Sequence, residues 1–447
     1  MPKLPFMRRA LLSLIRDART ETRVIYPWEL PSIMRKHIFT GAMGTVYFVL
    51  LSGIYLVAFG NNIGMQYWQW GLLSGACSFA LALQLASAYM VGRTGSRRTT
   101  WFLAALAARI LRGLAIVVAF AVFGHSGGLA RVLFVLLLVL SSCFNAIAMP
   151  PWFSWLADIV PREEHGQFIG RRSAWIALAN LAIIVPIGYV MDHFGAGSTP
   201  SVLMFVFALG FLVGLLDLFI HRTIPIPPTT RPRERSFWRS LAVPLQDEQF
   251  RPWLAFNALW TFGMTLGGSL ATIYFVENLG IKSNFFGGSL VLILFPLIGI
   301  MLTGRWVGTM VDRHGVKKVL RWGYSFWALL PLFWVLATPS TALMWLGAGA
   351  LVGGVASGAA LTASGKLVTR LRSPEHVPMY VAASTCVAAL AGGMGPFLGG
   401  PLLQVLGDAS WTVGGFTFVG FHILFLGSFL LRSGSTLLIG RIAYAED

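Results

Sequence analysis

Apolar residues fill long runs along most of this chain, and short polar or charged segments separate the runs. Each run approaches the roughly 20 residues that a helix needs to cross the hydrocarbon core of a bilayer. Six runs precede a proline- and arginine-rich segment at 223–250, and six follow it. The predicted spans are 38–60, 67–91, 100–123, 130–157, 171–192, 201–221, 252–276, 285–310, 319–338, 342–368, 378–406 and 412–432.

This pattern predicts an all-α integral membrane protein with twelve transmembrane helices in two six-helix halves. The first half comprises 37–222 and the second 251–433, joined by the polar linker 223–250. Residues 434–447 form a predicted tail. In the N-terminal segment 1–36, arginines surround a short apolar run, which favours a short amphipathic helix on the membrane surface, ended by Pro27 and Pro31.

The positions of the charged residues along the chain show how its net charge should be interpreted. Hydrophobic residues make up 56% of the 447 residues and charged residues 11%, which is more apolar than a soluble domain. A net charge of +17 is compatible with nucleic-acid binding. However, most Lys and Arg fall on one side of the predicted spans and only Arg131 and Lys282 on the other, while Arg109, Arg112, Arg305 and Lys366 fall within or near the ends of helices. This asymmetry predicts cytoplasmic termini and excludes a nucleic-acid partner.

A charged turn separates the predicted eighth and ninth spans. Glycines let two helices approach closely and form a tight turn, a carboxylate can meet a helix N-terminus, and basic residues hold the turn in the cytoplasm. An ordinary basic loop that fixes topology is the alternative. The pattern consists of Gly308, Asp312, Arg313, Gly315, Lys317 and Lys318.

The same pattern occurs 220 residues earlier in a weaker form. Residues 89–98 align without a gap on 309–318, and Arg93 and Gly95 have identical counterparts. Gly92 stands where the second copy has its acid. A repeat over half the chain predicts two homologous halves.

A third motif follows the predicted fourth span, where Asp158 and Pro161 precede acidic residues and Gly166. Together with the two loops, this turn resembles the major facilitator superfamily of secondary transporters. The resemblance implies a transporter that rocks two halves around a central site. It also implies a conformational latch that pairs Asp158 with Arg93 and places Asp312 near Arg171; a structural salt bridge is the alternative for Asp158.

The resemblance places spans 1, 4, 7 and 10 around the central cavity. Polar or aromatic side chains within these spans need partners, which a ligand or a neighbouring helix supplies. We therefore predict substrate contacts by Tyr47, Asn145, Asn257 and Trp260, with hydrogen bonding between helices as the alternative.

Two arginines lie deep in the third span. Arg109 is about 15 Å along the helix from its start, and Arg112 lies one turn further on the same face. A central arginine costs about 2.5 to 3.5 kcal/mol on insertion scales. The pair either recognises an anionic group or binds carbonyls, water or lipid headgroups. We expect every acidic residue to lie toward a helix end, which leaves a coupling proton or sodium ion unidentified.

Small residues mark two helices of the second half. They allow close packing and sliding, and proline bends its helix. This predicts a gating pair, with close packing without motion as the alternative. The residues are Gly353 and Gly358 in span 10 and Gly395, Pro396 and Gly399 in span 11.

The sequence therefore predicts a monomeric transporter of a small organic solute in the inner membrane. Export of an amphipathic compound is favoured because aromatic residues reach 13% and charges within the spans are few. Uptake or exchange of an anionic or sugar-like solute is the alternative, motivated by Arg109 and Arg112. A scaffold of the same fold without transport is the alternative from another class. No catalytic residue, metal site or cofactor site is predicted.

Overall fold

The protein is helical, as expected from its apolar runs. The structure, a computed structural model, describes residues 22–124, 127–161, 164–194, 200–227, 237–280, 284–370, 377–407, 409–413 and 416–442. Within these ranges, twelve helical segments are long and apolar enough to cross a membrane, which confirms the predicted fold class.

The spans are numbered here in chain order. Their helices are Leu30–Leu50 and Gly53–Asn62 in span 1, Tyr67–Ala80 and Leu83–Thr94 in span 2, Arg97–Phe123 in span 3, Gly127–Ile159 in span 4, His165–Phe194 in span 5, Pro200–Arg222 in span 6, Arg251–Glu277 in span 7, Phe285–Ser289 with Phe295–His314 in span 8, Val316–Ala328 and Leu330–Leu336 in span 9, Ala342–Arg370 in span 10, Val377–Leu406 in span 11, and Gly420–Leu438 in span 12.

Three short elements lie outside the spans. A helix at Phe237–Gln246 precedes span 7, and a single 3₁₀ turn at Ile439–Arg441 follows span 12. Strands β1 (Ser410–Val413) and β2 (Phe416–Val419) form an antiparallel hairpin between spans 11 and 12. This hairpin is a small β element on the predicted all-α fold.

Spans 1, 2, 8 and 9 are interrupted, and the breaks in spans 1, 8 and 9 each have a local cause. Span 1 breaks where Gly53 adopts a φ of 55°, a left-handed conformation that glycine tolerates. Span 8 contains a π-helical turn at Leu290–Leu294, and the α-helix that follows has Pro296 in its first turn. Span 9 restarts with Pro331 in its first turn, where the missing N–H is not needed.

Span 1 begins at Leu30, eight residues before the predicted position. Proline was expected to end a preceding helix here. Pro31 instead occupies the first turn of span 1, where its fixed φ suits a helix and its missing N–H costs nothing.

Span 12 begins at Gly420 and ends at Leu438, whereas the sequence predicts 412–432. Strand β2 occupies the predicted start. At the other end the polar residues look like a terminus, but their side chains bond to the helix itself: Ser435 Oγ donates to the Arg432 carbonyl at 2.7 Å. The Arg432 guanidinium packs 4.7 Å from the Trp260 ring, so it lies inside the span and not in the tail.

The chain forms two compact units. The first contains the residues up to Ser52 with Ala80–Ile183 and Leu203–Phe237, and the second contains Gly53–Phe79, Ile184–Val202 and Trp238–Asp447. Spans 1, 2 and 5 therefore each contribute one part to either unit. In the first unit, buried Trp101 and Trp155 lie in an apolar core with Leu218.

Candidate functional site

A large apolar cavity lies in the first unit between spans 1 and 5. Its volume is about 1100 Å³. Apolar side chains make up nearly all of its lining, and Arg35, Arg171 and Glu164 are its charged residues. The apolar lining residues include Leu30, Met34, Ile38, Phe39, Met43, Val46, Phe168, Trp175, Leu178, Ile183 and Val213.

The opposite face of span 1 carries buried polar residues. His37, Thr40 and Tyr47 recur at helical spacing and are 1%, 1% and 7% exposed. Residues that line the cavity alternate with them on the other face. Span 1 therefore separates the apolar cavity from a polar cluster. We call it the inner cluster and define it as His37, Thr40, Arg109, Arg172, Asp217 and His221, which are buried except for the partly buried Arg172.

An ion pair is the centre of the inner cluster. Arg109 Nη2 of span 3 donates to Asp217 Oδ2 of span 6 at 2.5 Å, and both side chains are almost fully buried. The Arg109 guanidinium also lies 4.8 Å from the ring of Tyr47. One helical turn after Asp217, His221 Nδ1 lies 2.8 Å from Thr40 Oγ1, and the two share a hydrogen bond.

Two glycines of span 1 make room for this cluster. A Cβ at Gly44 would lie 3.1 Å from Asp217 Oδ2, and a Cβ at Gly41 would lie 2.6 Å from Arg172 Nη2. The carboxylate of span 6 and the guanidinium of span 5 thus occupy the space that larger residues would fill. The alternation of glycine and polar residues in span 1 is the sequence signal that could have revealed the cluster.

The deep arginines have protein partners. Arg109 binds Asp217, and Arg112 Nη1 donates to the Leu51 carbonyl at 3.2 Å. Asp217 lies toward the end of span 6, which closes at Arg222, as expected for an acidic residue, yet it is buried and only 5% exposed. An intramolecular ion pair was not among the predicted roles of Arg109, because the separation of 108 residues hides it in the sequence.

The four predicted substrate residues have different surroundings. Tyr47 is buried beside Arg109, and Asn145 is exposed. Asn257 Nδ2 donates to the Ser384 carbonyl at 3.1 Å, which is the interhelical alternative. Trp260 is 3% exposed, so its position argues against direct contact with a solute.

The predicted latch residues are only partly brought together. Asp158 Oδ2 accepts from Arg97 Nη1 at 2.6 Å, one turn beyond the expected Arg93. The structure describes the helix backbone at Arg93, Gly308 and Asp312 but not their side-chain surroundings, so their predicted contacts stay predictions. Arg171 lines the cavity.

The other predicted residues of the loop at 308–318 have contacts that the structure describes. Gly315 has a φ of 81°, and Gly95 in the first loop has a φ of 71°, which is the role predicted for a turn glycine. Lys317 Nζ donates to the carbonyls of Gly440 and Ile442 at 2.9 and 3.0 Å. Arg313 is exposed, and Lys318 Nζ lies 5.2 Å from the Trp322 ring.

Glycines of spans 10 and 11 pack against helices of spans 9 and 7. Gly353 packs against Leu330 of span 9, and Gly358 is partly buried in span 10. Gly395 and Gly399 pack against span 7, near Leu266. The Pro396 carbonyl lies against Gly71 of span 2. The gating role predicted for spans 10 and 11 stays a prediction.

Within the second unit, one end of span 8 is bound to span 5. Asp192 Oδ1 accepts from the Phe285 amide at 2.7 Å, and Oδ2 accepts from the Phe286 amide at 3.0 Å. Carboxylates are favourable at helix N-termini because the first amides lack partners within the helix. Tyr67 Oη also donates to Glu277 Oε2 at 2.9 Å, which joins spans 2 and 7.

Replacing Asp192 with asparagine is expected to loosen the start of span 8. Asparagine has one acceptor oxygen in place of two and no negative charge, and each hydrogen bond to a charged group is worth about 1.5 to 3 kcal/mol. Hydrogen exchange at the amides of Phe285 and Phe286 should therefore accelerate about tenfold or more. Glu248→Gln, at an exposed carboxylate, is the control; equal exchange in both variants would contradict the prediction.

Twelve apolar helices, charges concentrated between them and a large cavity within the first unit define a multi-pass membrane transport protein. The chain belongs to the Major Facilitator Superfamily, whose family model matches residues 37–309. This membership confirms the predicted family and the prediction that the protein is a transporter and not an enzyme. A comparison with curated protein sequences finds no match.

Several solved structures share the fold at low identity. The match to the nucleoside transporter NupG covers 92% of this chain and 98% of the NupG chain, at 11% identity and a TM-score of 0.64. The xylose transporter XylE from E. coli covers the same shares at 14% identity and 0.65. A bacterial homologue of the human lysosomal transporter Spinster covers 94% and 96%, at 16% identity and 0.59. These identities support the fold and leave the substrate undefined.

Proposed function

We propose that this transporter exports a bulky amphipathic compound with a negatively charged group across the inner membrane. The observation that carries the proposal is the apolar cavity of the first unit, with a volume of about 1100 Å³. Cavities of drug-sized ligands have volumes of roughly 300 to 1,000 Å³ and mostly apolar linings with a few polar groups that set orientation. The volume therefore suits a solute with a large apolar body.

The charged residues of the cavity favour an anionic group on that solute. Arg35 and Arg171 contribute two positive charges against the single negative charge of Glu164. Guanidinium groups bind carboxylates and phosphates through paired hydrogen bonds. Arg109 and Arg112, which motivated the anionic alternative, bind Asp217 and the Leu51 carbonyl, so an anion in the cavity would meet Arg35 and Arg171 instead.

Export is the direction that we propose because of the chemistry of such solutes. An amphipathic compound enters a bilayer without help, since burial of its apolar surface is favourable. Its removal against a gradient requires a protein. The charge distribution along the chain supports a topology with cytoplasmic termini, and the loop at 308–318 remains our candidate for the latch.

The test compares naphthyl-substituted carboxylic acids with amides and amines of the same skeleton. At 100 times its dissociation constant, a ligand stabilises the folded protein by about 2.7 kcal/mol, which a thermal-unfolding measurement detects. We expect the acids to raise the melting temperature most. Arg35→Gln with Arg171→Gln should abolish this difference between acids and amides.

Arg222→Gln is the matched control, because Arg222 is an exposed arginine of span 6 that packs against Phe102 and does not line the cavity. Loss of acid binding in the control as well would show that the arginines act through overall charge. In proteoliposomes, outward movement of the stabilising acids is expected. Equal stabilisation by all three chemical classes, or by none, would overturn the proposed substrate class.

A further inference from the structure

We infer that His37 and His221, inside the inner cluster, bind the proton that drives transport. This inference rests on the proposed function, because a coupling site requires a transported solute. It assigns the coupling ion to side chains on the face of span 1 that lies away from the cavity. These histidines are absent from the predicted site residues, and no carboxylate of the cavity takes this role.

The two imidazole rings are placed together and are almost completely buried. Their centroids are 4.8 Å apart with an interplanar angle of 82°, and the residues are 1% and 3% exposed. Both ring nitrogens of His37 and Nε2 of His221 have no hydrogen-bond partner among the described residues. Buried polar atoms without partners cost free energy, so packing alone gives no reason for two histidines here.

Aromatic rings surround His221 and offset part of the repulsion that Arg109 and Arg172 exert on a proton there. Trp101 and Trp155 lie with ring centroids 4.6 and 5.1 Å from the His221 ring, and Trp152 lies 6.4 Å away. Indole faces attract cations, and the attraction strengthens when water is excluded. Imidazole is also the side chain whose charge ordinarily changes between about pH 5 and 8.

The neighbouring charged side chains determine whether His37 and His221 are protonated in the described conformation. The charged groups that act on the two rings are Arg109 of span 3, Arg172 of span 5 and, beside them, Asp217 of span 6. With neutral imidazoles these groups sum to one positive charge. A further proton would leave two uncompensated positive charges in a buried site, so we assign the proton-free form to this conformation.

Spans 1 and 5 each reach both the cavity and the inner cluster. Span 1 presents His37 to the cluster and Ile38 to the cavity, while span 5 presents Arg172 to the cluster and Arg171 to the cavity. The Arg172 guanidinium packs at Gly41, where the two spans meet. A proton that repels Arg172 would therefore shift span 5 against span 1 and change the cavity that holds the solute.

The first experiment needs no solute. A protonated imidazole quenches a neighbouring indole, so tryptophan fluorescence of the purified protein should fall as the pH is lowered. We expect a pH-dependent step of this kind in the wild type and its loss in both His37→Gln and His221→Gln. His314→Gln is the matched control, because His314 is an exposed histidine 5.8 Å from Trp322. Persistence of the step without His37 and His221 would overturn the inference.

A second measurement covers the case in which these variants do not fold. Nuclear magnetic resonance of the wild type, labelled only at its eight histidines, reports the protonation of each imidazole directly. Signals protected from solvent that change protonation as the pH is lowered are expected. If only solvent-exposed imidazoles titrate, the proton site is refuted.

The final arm separates this inference from the proposed function. Proteoliposomes with a trapped pH dye are given a gradient of the naphthyl carboxylic acids. Coupled proton movement is expected in the wild type and should be lost in His221→Gln, while exchange of the acids continues. Movement of the acids without protons would refute the coupling site. If the buried histidines titrate but the acids do not move, the proposed substrate is refuted instead.

Discussion

Replacing Asp217 with leucine is expected to remove most of the folded protein. The change keeps the shape of the side chain but leaves the Arg109 guanidinium buried without its partner, 2.5 Å from the lost oxygen. Breaking a buried ion pair from one side costs about 3 to 5 kcal/mol, which is a large part of the stability of an ordinary domain. The yield of monodisperse protein and its melting temperature measure the effect.

A double variant tests the reason for that loss. In Arg109→Met with Asp217→Leu, both charges are gone, and replacing a buried ion pair by apolar residues is often neutral or stabilising. The double variant should therefore recover much of the melting temperature. Arg109→Met alone should be nearly as destabilising as Asp217→Leu alone. If the losses of the two single variants simply add in the double variant, the two residues do not act as a pair.

Replacing Gly71 with alanine is expected to break the packing of span 2 against span 11. A Cβ there would collide with the Pro396 carbonyl and lie 2.7 Å from the Gly400 Cα, and backbone atoms cannot move aside as a side chain can. Overpacking costs about 1 to 3 kcal/mol or more. Cysteine crosslinking between Gln66 and Gln404, whose side chains lie 3.5 Å apart next to this contact, should become slower.

Two other glycines make the result specific. Gly354→Ala would meet the Pro296 carbonyl inside the second unit, where spans 8 and 10 pack, and should lower the melting temperature. Gly268→Ala, with no atom within 4 Å, should change neither the melting temperature nor the crosslinking. A Gly71 variant that crosslinks as fast as the Gly268 variant would show that spans 2 and 11 tolerate a wider separation here.

Some glycines that matter in this structure could be recognised from the sequence, and others could not. Gly315 and Gly95 were identified as turn glycines because a loop motif surrounds them, and the structure gives both a positive φ. Gly71 and Gly400 carry no comparable signal, since close approach of two helices depends on residues more than 300 positions apart. The spacing of residues within a motif predicts the local backbone conformation. It does not predict which distant helix packs against a given glycine.

The sequence by itself determined the fold class, the number of spans and the family. The physical reason is that a bilayer imposes the same length and apolarity on every crossing helix, so each span can be recognised on its own. The loop motifs at 89–98 and 308–318 added the family because their glycines and charges are closely spaced. Helix ends were less accurate: Pro31 begins a helix, and Arg432 lies within one.

Only the tertiary structure decided the partners of the polar residues. Arg109 was visible as an unusual deep arginine, but its partner Asp217 comes from another helix, and His37 and His221 are each unremarkable in the sequence. A buried charge must find compensation, yet the compensating group is chosen by helix packing and not by distance along the chain. The cavity likewise exists only where spans 1 and 5 leave space between them.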